Sequence, residues 1–150
     1  PSNKTEYENN ETAYKAKLTE LDKEYQNTID HAKRKTLLFA DRFPFRYLAD
    51  DYGLKYYAAF KGCSAETEAS FKTITFLANK VDEENLPYVM TIEGSDQKIA
   101  KSVISNTKKK TQQIMTMDSM QSTTSQDVKD GKSYLSVMEE NLSVLQKALH

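Results

Sequence analysis

Apolar residues return along the first 35 positions at steps of three and four. Tyr14, Leu18, Leu21, Tyr25, Ile29 and Ala32 share one face, and Lys, Glu, Asp and Asn fill most of the rest. That period is helical and predicts one long amphipathic helix. Asn3, with Glu6 three residues later, marks its start. The basic cluster at 33–35 suits its carboxyl end, where cations meet the negative end of the helix dipole. From Thr36 the pattern changes to short apolar runs alternating with helical stretches. The runs 36–40, 55–60, 87–92 and 113–117 read as strands. Between them, Phe45, Leu48 and Tyr52 form a short helical face ended by Gly53. Phe71, Ile74, Leu77, Ala78 and Val81 form a second, with Ser64 as candidate N-cap. Ile99, Val103 and Ile104 form a third, capped by Ser95. The polar stretch 119–131 carries a possible capping box at Thr124 and Asp127. A closing helix then buries Tyr134, Leu135, Met138, Leu142, Leu145 and Leu149.

Strands alternating with helices imply right-handed βαβ units and a parallel sheet covered on both faces. The expected fold is therefore α/β: one lobe with a four-stranded parallel sheet in an order such as 2-1-3-4, preceded by a long backbone helix. The division falls at residues 1–35 for the linker helix and 36–150 for the α/β lobe.

Composition narrows the function classes. At 150 residues with a net charge of -1 and 29% charged side chains, the chain has no basic field for nucleic acid or an anionic membrane surface. No apolar run approaches the roughly 18 residues that cross a bilayer. Cys63 is the single cysteine, which excludes a disulfide framework and a cysteine-based zinc site. His31 and His150 are the only imidazoles, His31 off the apolar stripe of its helix and His150 at the chain end. No Ser or Cys has a His partner for acyl transfer, and no glycine-rich phosphate cradle follows a strand, so nucleotide binding is not expected. The chain is read as a non-enzyme.

In open parallel sheets, ligands bind beyond the carboxyl ends of the strands. Each strand end delivers a carboxylate there: Asp41 beside Arg42 after the first, Glu66 and Glu68 after the second, Glu93 and Asp96 after the third, and Asp118 after the fourth. Like charges gathered at one edge need a cation or an Arg to offset their repulsion. Glu66, Glu68 and Asp96 fall in the first turn of expected helices, where capping explains them equally well. Asp118 follows a strand and precedes a long polar loop, so capping does not account for it. Cys63 reads as a small buried residue in a tight turn.

Four stretches carry a family resemblance: Arg34 to Leu54 (RKTLLFADRFPFRYLADDYGL), Gly62 to Phe71 (GCSAETEASF), Tyr88 to Ala100 (YVMTIEGSDQKIA) and Asp130 to Leu149 (DGKSYLSVMEENLSVLQKAL). Together with the long first helix, the chain resembles the carboxyl-terminal lobe of the zinc- or manganese-binding receptor lipoproteins of ABC importers. The resemblance implies one divalent transition-metal ion held between two lobes. The amino-terminal lobe, which supplies two His ligands, would precede the present residues. The second lobe supplies a His or Glu after its first strand and an Asp after its fourth. Asp118 matches that Asp. Counting back from Phe45-Arg46-Tyr47, the other slot falls on Arg42, a departure, since a guanidinium stays protonated and does not ligate metal. Either Asp41 stands in for it, or Arg42 pairs with Asp118 until metal arrives.

The function this implies is extracellular capture of zinc or manganese by a membrane-anchored lipoprotein and delivery to the membrane subunits of an ABC permease. The isolated lobe is expected to hold the ion weakly or not at all. The alternative is a cell-surface adhesion module of the same fold with no metal role.

Overall fold

The computed structural model describes residues 3–62 and 68–150. The opening helix, α1, runs Lys4–Asp30. It is followed by β1 (Thr36–Phe43), α2 (Arg46–Asp51), β2 (Lys55–Lys61), α3 (Phe71–Glu83), β3 (Tyr88–Ile92), α4 (Lys98–Ser105), β4 (Gln113–Met117), α5 (Ser125–Lys129) and α6 (Tyr134–Leu149). The strands form one parallel sheet in the order β2-β1-β3-β4, as the alternation of periods implies.

The central strand β1 shows why its run is apolar throughout. Successive side chains of a strand point to opposite faces, and both faces here are covered. Leu37, Phe39 and Phe43 enter a core with Tyr25 and Ile29 of α1 and Leu142, Leu145 and Leu149 of α6. Leu38 and Ala40 enter a second core with Leu77 and Val81 of α3 and Ala100 and Val103 of α4. Full burial of each Leu, Ile, Val or Phe among these contributes about 1.5–3 kcal/mol relative to exposure.

Helix α1 stops earlier than its pattern implies. It ends at Asp30 with His31 as C-cap, so Lys33, Arg34 and Lys35 lie past it, in the link to β1. Asn3 is the N-cap, without a side-chain capping bond. Packing begins at Leu21, while Tyr7 and Tyr14 stay exposed. The packed half is tied to α6 and α2 by aromatic contacts. The Tyr25 hydroxyl donates to the Met138 carbonyl (2.7 Å), its ring stacks on Tyr52 at 5.3 Å, and the Tyr52 hydroxyl donates to Asp22 Oδ1 (2.7 Å).

Gly53 closes α2 at φ +66°, a left-handed conformation that favours glycine. The turn lets the Leu54 N–H donate to the Ala49 carbonyl and Lys55 start β2 against Lys35. Two expected caps differ. Ser70, not Ser64, caps α3 by accepting from the Thr73 N–H, and Ser64 lies outside the described residues. Helix α4 starts at Lys98 because Gln97 turns left-handed (φ +60°). Ser95 therefore accepts from the Gln97 N–H, one step before the helix, and Asp96 Oδ1 accepts from Lys98. The Thr124–Asp127 capping box is formed, on the short α5. No helix among the described residues is long and apolar enough to cross a membrane.

Candidate metal site

All four strands are parallel, so their carboxyl ends share one edge, and the residues singled out above distribute along it. Strand β1 runs three residues past its apolar stretch, which puts Asp41 and Arg42 inside the strand rather than after it. Between Phe39 and Arg42 the register against β2 shifts by one residue, the mark of a β-bulge. Asp41 serves that bulge. It is 8% exposed; its Oδ1 accepts from the Arg42 N–H (2.8 Å) and its Oδ2 lies 3.5 Å from the Ile92 N–H of β3. Its carboxylate thus receives backbone donors from two neighbouring strands.

Arg42 does not reach Asp118. Its guanidinium sits 3.8 Å from Asp41 Oδ1, a partly exposed pair of small energetic weight. The two line an open depression of about 270 Å³ with Phe60, Gly94, Ser95 and Asp96. Asp96 pairs instead with Lys98, whose ammonium and backbone N–H hold its carboxyl below the usual range. Glu68 is exposed and lies two residues before the Ser70 cap, outside the first turn of α3. Glu66 and Cys63 lie outside the described residues.

Beyond β3 and β4 the edge is more organised. Glu93 accepts from the Ser119 N–H (2.8 Å), the Ser119 hydroxyl (2.8 and 2.9 Å) and the Gln121 N–H (2.9 Å), fastening the start of the loop after β4. Its oxygens are used in folding that loop. Asp118, the first residue after β4, is held at its peptide and at both carboxylate oxygens. Asn141 of α6 grips its peptide: Asn141 Oδ1 accepts from the Asp118 N–H and Asn141 Nδ2 donates to the Asp118 carbonyl, both at 2.8 Å. Asp118 Oδ1 accepts from the Met120 N–H (2.7 Å), with Met120 at φ +62°, a region non-glycine residues rarely enter. Asp118 Oδ2 meets the Lys132 ammonium at 2.6 Å. The bonded carboxylate keeps the Lys132 amine above its ordinary pKa. Asp118 and Lys132 line a separate depression of about 480 Å³ with Asp130, Ser136 and Glu140.

Asn141 and Lys132 hold Asp118, and the sequence pattern does not single them out. Asn141 leaves one trace: it interrupts the apolar stripe of α6 between Met138 and Leu145, and it is only 2% exposed. A buried amide in a core stripe needs partners, and here they are the two backbone groups of Asp118. Among the described residues, no three His, Cys, Asp or Glu side chains come together as a metal cage. Among the same residues, three carboxylates of the edge carry a cationic partner, Asp41, Asp96 and Asp118, and of these Asp118 pairs with a residue distant in sequence, its side chain mostly covered.

Comparison with known proteins places this edge in context. Residues 1–148 match the family of ZnuA, zinc-uptake complex component A, periplasmic. The chain belongs to this family. The zinc-binding lipoprotein AdcA of Streptococcus pneumoniae is 34% identical over 147 residues, which are 98% of the chain and 28% of AdcA. The solved Zn(II)-bound ZnuA-like domain of that AdcA superposes with a TM-score of 0.75 at 32% identity, over 99% of the chain and 54% of the domain. The laminin-binding protein Lbp of Streptococcus pyogenes superposes with a TM-score of 0.78 at 25% identity, over the whole chain and 54% of that protein. The chain thus spans about half the length of these two solved structures and 28% of full AdcA.

Proposed function

We propose that the chain is one lobe of an extracellular zinc receptor that hands its ion to an ABC permease, with Asp118 as this lobe's metal donor. The single observation that carries the reading is the state of Asp118. It is a carboxylate at the carboxyl edge of the sheet, aimed by a buried amide, with one oxygen committed to the backbone and the other already holding a cation. The family match supports zinc in preference to manganese, and the lipoprotein name of AdcA supports anchoring at the outer face of a membrane. The ion is cargo, held by ligands from two lobes and released intact, with no covalent chemistry. A second lobe would complete the coordination, because a single carboxylate leaves zinc short of the four donors it takes. Asp41 is left with the β1 bulge, and Arg42 with Asp41.

Adhesion is a second reading, favoured by the laminin-binding name of Lbp. It does not explain a carboxylate positioned with this much scaffolding.

Accumulation of radioactive zinc from zinc-limited medium tests the proposal. Cells carrying the full-length receptor should accumulate zinc, and cells carrying Asp118→Ala should fall to the level of cells without the receptor. Equal accumulation by wild type and Asp118→Ala would overturn it.

A further inference from the structure

The cation on Asp118 comes from the protein itself. Lys132 belongs to neither α5 nor α6. It lies in the turn between them, with its N–H donating to the Asp127 carbonyl and Ser133 capping the next helix. From there its ammonium spans to Asp118 Oδ2, the one oxygen of that carboxylate that no backbone group holds. The pair is mostly covered, with 28% of the Lys132 side chain and 19% of the Asp118 side chain exposed. Its members come from two loops that the sheet and α6 fix independently, so the contact is not a local i,i+4 pairing.

We propose that Lys132 is a built-in competitor of the cargo: its ammonium occupies the metal-facing oxygen of Asp118 in the empty receptor, and zinc enters by displacing it. This inference rests on the reading of Asp118 as a zinc donor and adds the residue that sets the strength and selectivity of that donor. The chemistry is an exchange of cations on one oxygen. A monovalent ion gains no more from Asp118 than the ammonium already does. A divalent ion gains about twice the Coulomb attraction at equal distance. Lys132 therefore acts as a charge threshold that sodium and potassium do not cross. Asp127 and Glu93 also favour the Lys132 charge. Displacement exchanges one partner of Asp118 Oδ2 for another. It breaks one ion pair and leaves the Asn141 clamp and the Met120 bond in place.

Competition titration of zinc into the full-length receptor tests this, with Lys132→Met, Lys132→Arg, Asp118→Ala and the Lys132→Met/Asp118→Ala double variant beside wild type. Lys132→Met removes a unit charge about 5 Å from the incoming divalent ion and should tighten zinc about tenfold even with water-like screening. Lys132→Gln repeats the neutralisation with a polar side chain, should Lys132→Met fold poorly. Lys132→Arg keeps the charge and should stay near wild type. On the Asp118→Ala background the gain should vanish. A Lys132→Met receptor that binds zinc no tighter than wild type, while Asp118→Ala weakens binding, overturns the competitor role and leaves the zinc reading standing. A gain that survives in the double variant also overturns it, since Lys132 would then repel the ion without sharing its oxygen. Asp118→Ala binding like wild type would remove both.

Discussion

The side-chain amide of Asn141 holds the peptide of Asp118 at both ends, accepting from its N–H and donating to its carbonyl at 2.8 Å each. This pair of bonds joins the closing helix to the end of the last strand. It fixes where the Asp118 carboxylate begins, and the Met120 N–H fixes how that carboxylate turns. Replacing Asn141 with Leu keeps the volume and strands two backbone groups. The unmet desolvation should cost roughly 2–4 kcal/mol in unfolding free energy, read from urea denaturation. Zinc affinity of the full-length receptor should fall with it. Asn141→Asp keeps the acceptor for the Asp118 N–H and loses the donor, so its stability should lie between. An Asn141→Leu protein with unchanged stability would show that the clamp contributes nothing.

Asp41 separates a structural carboxylate from a ligand. Its oxygens face the Arg42 N–H and the Ile92 N–H at the β1 bulge. Asp41→Ala should therefore lower stability by about 1–3 kcal/mol, the range for stripping a buried acceptor from its donors. Zinc affinity per folded full-length receptor should change little. Isothermal titration of Asp41→Ala showing lost zinc binding with unchanged stability would make Asp41 a metal ligand.

How much of this was legible in the sequence follows from what each feature depends on. The four strands, their parallel order and the helices around them are visible because apolar period reports local structure and burial together. Asp118 stands out because a carboxylate after a strand, with no helix starting at once, has no helix end to cap. Asp41 looked like its equal at the same edge. Only the register shift between Phe39 and Arg42 shows that the strand continues and that the bulge uses the side chain. Arg42 pairs with Asp41 at that bulge and not with Asp118. Lys132 took that role through the path of a polar loop, which no periodicity encodes. Asn141 left only its polar character in an apolar stripe, and its target depends on how α6 crosses the end of β4. Ser95 does not cap α4 because the helix start depends on a single φ angle, that of Gln97.

Tyr25 gives the fold an alkaline limit. Burial first, then the nearby Tyr52 and Tyr134, raise its hydroxyl above the ordinary tyrosine value. A phenol whose folded pKa is raised contributes stability that is fully present below the unfolded pKa, about 10, and is lost as pH rises beyond it. The Tyr25 hydroxyl also donates to the Met138 carbonyl, so Tyr25→Phe should be less stable by about 1 kcal/mol at roughly pH 8. That difference should close or reverse by about pH 11, where the wild-type phenol resists ionisation that the unfolded chain accepts. Urea unfolding of the two proteins across this range reads the gap directly. A gap that stays constant to about pH 11 would mean the buried hydroxyl is not the group that fails.

The most direct measurement is calorimetric titration of zinc into three proteins in parallel: the full-length receptor, its Asp118→Ala variant, and the 150-residue chain alone. One lobe leaves zinc short of its four donors. The chain alone should therefore bind no tighter than about micromolar, the full-length receptor far more tightly, and Asp118→Ala at least about a hundredfold more weakly than the receptor it derives from. Zinc bound by the chain alone as tightly as by the full-length receptor, or Asp118→Ala indistinguishable from wild type, would contradict an inter-lobe zinc site built on Asp118.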